Sequence, residues 1–189
     1  MIVALASFVW VQVRPRASGV LIASETGVAA ACGILVGLYG ERIPLGAADT
    51  GDVVLTTLTY AAIAFGFSVA GLTIALSSLN EDFAKQLALT AASKRPAIGA
   101  AAPEINSYSN LLFIFTWTAI AHWAVVVASF GALAALGRDS QLLAVHSSLV
   151  HRAGVGLWAG ATVYAVELFV VTVITLADVS GLYIKRLQS

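Results

Sequence analysis

NLLFIFTWTAIAHWAVVVASFGALAAL, residues 110–136, contains no Asp, Glu, Lys or Arg. A hydrocarbon core of ~30 Å is crossed by ~20 apolar residues in helical form, so this run is long enough to span a bilayer. Three other stretches, 17–39, 53–79 and 153–184, are read the same way. They are separated by connectors at 40–52, 80–109 and 137–152 that hold charges and turn formers.

The composition agrees with that reading. Of 189 residues, 59% are hydrophobic and only 11% charged, with a mean hydropathy of +0.91. Soluble domains carry about 25% charged residues. The expected fold class is therefore an all-α integral membrane protein: a four-transmembrane-helix bundle forming a single membrane domain.

The connector 80–109 has a pattern of its own. Asn80 is placed to cap a helix whose first turn carries Glu81 and Asp82, favourable at the positive end of the helix dipole. Phe83, Leu87 and Thr90 or Ala91 recur at helical spacing, which predicts a short cytosolic amphipathic helix between the second and third spans. The Ala- and Pro-rich stretch that follows is a linker, and Pro103 suits the first turn of the third helix. At the other extreme, segment 1–16 is apolar but too short to span before Arg14-Pro15-Arg16, and it lacks the basic start of a signal peptide. It is expected to lie at the membrane interface.

Lys and Arg set the orientation. Arg14, Arg16, Lys85, Lys94, Arg95, Lys185 and Arg186 fall on one set of connectors and ends, against Arg42, Arg138 and Arg152 on the other. The positive-inside rule then puts both termini and the connector 80–109 in the cytoplasm. Abundant Ala, Gly, Val and Leu with few lysines point to a bacterial source, and so to the inner (cytoplasmic) membrane, with the chain multi-pass.

Several functions are excluded or left without support. Ten basic residues balance ten acidic ones, so no charge excess argues for nucleic acid. Cys32 is the single cysteine, which excludes an intrachain disulfide and a thiolate metal cluster; it reads as a packing residue. No phosphate loop, HExxH or hydrolase-type serine motif is present, and the 80–109 connector is too small for a soluble catalytic domain. The chain is read as a non-enzyme without cofactor or metal.

Ionisable residues inside the spans carry what chemistry there is. The stretch TVYAVELFVVTVITLADVSG, residues 162–181, holds Glu167 at depth and Asp178 near the cytoplasmic exit. At 100° per residue both align with Gly156 and Gly160, so the acids share the face on which a second helix can approach closely. Tyr164, one turn before Glu167, is a candidate donor to it. Glu25 in the first span and His122 in the third project to similar depth, and Thr118, His122 and Ser129 form a polar stripe.

Glu25, His122, Glu167, Tyr164 and Asp178 are thus candidates for an intramembrane ion or proton path, since such groups recur in those settings. The competing reading is polar glue, in which the acids are protonated or hydrogen-bonded to His122, Tyr60 and Tyr164 and only fix helix register.

Small residues spaced by four recur in every span, among them Gly33 and Gly37, Gly66, and Gly156 and Gly160. They are expected at helix contacts. The leading expectation is a small homo-oligomeric, channel-like membrane protein. The alternative is an accessory or anchoring subunit docked on other membrane subunits, with the 80–103 stretch available to a soluble partner. A small proton-coupled transporter is a third, weakened by the lack of an inverted repeat.

Overall fold

The computed structural model describes residues 24–42, 48–78, 107–143 and 147–187, with residues 24, 74–78, 107–109 and 179–187 described by backbone only. The expectations for segment 1–16, for the start of the first span and for the amphipathic helix lie outside these residues. What is described is all helical: α1 (Ser24–Tyr39) with a 3-10 turn (Gly40–Arg42), α2 (Thr50–Ser78), α3 (Ser107–Leu136) and α4 (Leu149–Leu187).

Three of these helices are long and apolar enough to cross a membrane, over Thr50–Thr73, Asn110–Leu136 and Leu149–Asp178. At most 39% of any such stretch is buried inside the protein. The remainder is apolar surface: Ile63 is 69% exposed, Phe130 58% and Leu157 78%. A water-soluble monomer rarely leaves contiguous patches of this kind uncovered, so the three helices point to a membrane protein. Hydroxyls on the spans fit the same solvent. Thr56, Thr59 and Thr73 are exposed and each donates to the carbonyl four residues back. That bond removes an unpaired donor which hydrocarbon could not satisfy.

Neighbouring helices run antiparallel and pack in the order α1, α4, α3, α2, with α2 also touching α4. The α1–α4 seam is built from glycine. A Cβ placed on Gly33 would stand 2.7 Å from the Gly156 carbonyl oxygen, one on Gly156 2.6 Å from the Gly33 oxygen, and one on Gly160 2.9 Å from the Ala29 oxygen. Backbone meets backbone here, so no side chain larger than hydrogen fits without moving a helix. The opposite side of α4 supplies Ala165 and Thr172, both fully buried, to a core shared with α2 and α3. α1 therefore stands outside that three-helix core, on the far face of α4.

One end of the molecule is closed by its connections. Gly137, at φ 79°, ends α3 in the left-handed conformation that glycine adopts at no steric cost, and its N–H bonds the Leu133 carbonyl. The turn that follows supplies carbonyls to the first N–H groups of α2, which lack partners inside their own helix: Thr50 to Ser140 and Gly51 to Arg138, both at 2.8 Å. Leu142 and Leu143 tuck beneath, both buried, and the His151 Nε2–H donates to the Leu142 carbonyl at 2.8 Å. Ser148 caps α4 by accepting from the His151 N–H. Arg152 pairs with Glu41, tying the start of α4 to the exit of α1.

Candidate functional site

His122 is the most enclosed ionisable group among the described residues of the spans, with no exposed surface. Helix α3 places its ring between α2 and α4. Nδ1–H donates to the Thr118 carbonyl at 2.8 Å, which fixes the tautomer of the neutral ring and leaves Nε2 as an acceptor. The Tyr60 hydroxyl of α2 donates to Nε2 at 3.3 Å. Phe169 of α4 meets the ring edge-on at 6.1 Å between centroids and also packs against Tyr60. Both ring nitrogens are engaged within the protein.

Three other polar groups on α3, at Thr118, Trp117 and Ser129, are bonded to α4. Thr118 shares a 2.7 Å hydrogen bond with Thr172, which itself donates to the Leu168 carbonyl. The Trp117 indole N–H donates to the Tyr164 hydroxyl at 2.8 Å, and the Trp158 N–H donates back across the same interface to Ser129 at 3.1 Å. The Thr118–Thr172, Trp117–Tyr164 and Trp158–Ser129 bonds join α3 to α4. Interhelical bonds in lipid average about 0.6 kcal/mol, because the unfolded state in the membrane also finds partners. Trp158→Phe is accordingly expected to lower stability in detergent or bicelles by about 0.6 kcal/mol, and Ser129→Ala by the same, with the pair non-additive.

Glu167 is placed differently. It continues the line of Gly156 and Gly160 on the α1 face of α4, while Phe169, two residues on, points across the helix at His122. His122 and Glu167 thus share a level but not a face, and no hydrogen bond joins them. Nor does Tyr164 close the gap, for the Glu167 Oε2 is buried without any hydrogen-bond partner. Ala29 stands opposite Gly160 in the seam, so Glu167 lies past the level of Ser24, where the described part of α1 begins.

Glu25 is half-buried in the first turn of the described part of α1. Asp178 is exposed at the end of its span. Of the small residues, Gly33, Gly37, Gly156 and Gly160 form the seam, whereas a Cβ on Gly66 would meet nothing within 4 Å. Cys32 is a half-buried free thiol. No cluster of three potential metal ligands occurs among the described residues.

Two members of this site carried only a generic signal in the sequence. Trp117 and Trp158 each bring an N–H into a span, and an indole there needs an acceptor, but only the fold shows which. Two lateral grooves have apolar walls, one between α1 and α4 and one between α3 and α4. Comparison of the chain with protein-family models, with curated proteins and with solved structures finds no match.

Proposed function

We propose that the protein is a four-span, non-catalytic membrane protein that works as a homo-oligomer, with Glu167 brought to a shared polar axis that admits ions. α1 belongs to the first of these spans. Both termini face the cytoplasm of a bacterial cell, and the membrane is the inner one. The observation that carries this reading is the buried, unpartnered Glu167 oxygen in an apolar helix. A carboxylate in that position is costly unless it is protonated, hydrated or answered by another group. In the proposed oligomer the shared axis supplies that hydration, which requires the α1 face of α4 to open at the level of Glu167.

The alternative is a non-conducting accessory subunit, and it has an observation of its own: the polar interior around His122 is closed by its own residues, so a single copy contains no evident path there. Mass measurement of the protein released from lipid nanodiscs separates the two. A closed homo-oligomer that weakens in Glu167→Leu supports the proposal. A stoichiometric foreign subunit in material from native membranes, with Glu167→Leu releasing it, supports the alternative.

A further inference from the structure

The groove between α1 and α4 has a volume of about 710 Å³, within the ~300–1,000 Å³ of small-molecule sites. It exists because glycines draw the two backbones together while α1 stays clear of the core, leaving a slot floored by Gly33, Gly156 and Gly160. Its walls are apolar and its rim carries Ile34 and Leu157, 61% and 78% exposed, so it opens sideways into the region of acyl chains. Arg152 lies at one end, Tyr164 and Trp117 at the other.

We propose that this groove binds one acyl chain of an anionic phospholipid, with the lipid phosphate at Arg152. Twelve helical residues separate Arg152 from Tyr164, or about 18 Å. One leaflet of the hydrocarbon core is about 15 Å deep. The groove therefore has the length of a single leaflet, which suits a lipid anchored at one surface and excludes a transmembrane helix of a partner, which would cross both leaflets. Charge favours an anion at the mouth. Arg152 is the charged side chain among the described residues that line the groove, and the capped first turn of α4 adds the positive end of its dipole. At the opposite end Tyr164 already accepts from Trp117, so the chain terminus meets aromatic surface. The inference rests on the membrane placement proposed above and is independent of the ion path.

The test uses full-length protein, delipidated in detergent and titrated with phosphatidylglycerol or phosphatidylcholine of identical chains, with bound lipid counted by native mass spectrometry. Wild type is expected to favour phosphatidylglycerol by about fivefold, the effect of one cationic side chain near a lipid surface. Ala153→Phe, at an exposed position lining the groove, is expected to abolish retention of both lipids. Arg152→Gln keeps chain binding and loses the preference, while Glu41→Gln, which breaks the same ion pair but keeps the cation, retains it. Equal binding of the two lipids by wild type, or unaltered binding in Ala153→Phe, overturns the proposal. So does a second copy that occupies this face and displaces lipid. Alkaline carbonate extraction is run alongside: release of the protein from membranes contradicts the membrane placement itself, whereas a protein that stays in the pellet without lipid preference defeats the lipid proposal alone.

Discussion

Gly156→Leu is expected to lower the stability of the detergent-solubilised protein by about 3 kcal/mol, the upper end of what overpacking costs. The reason is local. A Cβ at this position would lie 2.6 Å from the Gly33 carbonyl oxygen and 3.2 Å from the Gly37 Cα, so the obstacle is backbone and cannot rotate away. α1 must back off α4, and because its packing is almost wholly against that helix it has nowhere else to settle. Gly66→Leu is the control. Nothing lies within 4 Å of a Cβ there, so the same substitution is expected to leave protomer stability within about 0.5 kcal/mol. Thermal or denaturant unfolding in one detergent compares the two, and equal losses would contradict the seam.

The second large effect concerns His122. Replacing it with Leu removes the acceptor for the Tyr60 hydroxyl and leaves that part-buried group without a partner among Phe169 and aliphatic side chains. An orphaned buried hydroxyl costs about 1–3 kcal/mol. The Thr118 carbonyl loses little, because a helical carbonyl keeps its backbone bond. His122→Leu is therefore expected to destabilise by about 2 kcal/mol, and adding Tyr60→Phe to recover about 1 kcal/mol, since both partners are then apolar. A double-mutant cycle measures the coupling. If His122 instead serves as a transport group, the double variant recovers the same stability but any flux disappears with it. The closed hydrogen bonds predict that a folded double variant keeps whatever flux the wild type has.

The helices were legible because apolar runs of this length have a single solution in a membrane, and α2, α3 and α4 follow the runs at 53–79, 110–136 and 153–184 within a few residues. Gly33, Gly37, Gly156 and Gly160 mark one face of each helix in the sequence, but nothing in the sequence pairs α1 with α4. Gly66 carries the same spacing and meets nothing, because the spacing of small residues says that a helix can be approached and not which helix approaches it. The same limit governs the polar groups. Tyr164 is one turn from Glu167 in sequence, but its hydroxyl is engaged by Trp117 across the α3–α4 interface. Depth placed His122 and Glu167 at one level, yet which side of α4 each occupies depends on how three helices rotate against one another. The turn after α3 was read only as a connector. Its carbonyls cap α2 through pairings about ninety residues apart, for which no local pattern exists.

The fold also separates two kinds of polar group that composition lumps together. Those facing the α2–α3–α4 core have been paired: His122 with Tyr60, Thr118 with Thr172, and Ser129 with Trp158. Paired groups of this sort rigidify a core and set its register. Glu167 sits on the other face of α4 and has a buried oxygen without a partner. That contrast is why the proposal rests on Glu167 and assigns His122 to structure.

Cation flux through proteoliposomes holding wild type or Glu167→Gln tests the proposed role of Glu167 most directly. The substitution removes the charge while keeping size and hydrogen-bonding capacity, so the fold is retained. The proposal predicts measurable flux in wild type that falls at least ~10-fold in Glu167→Gln, an effect of ~1.4 kcal/mol. Flux that is equal in the two proteins, or absent from a wild-type protein that remains monomeric in the bilayer, would contradict it.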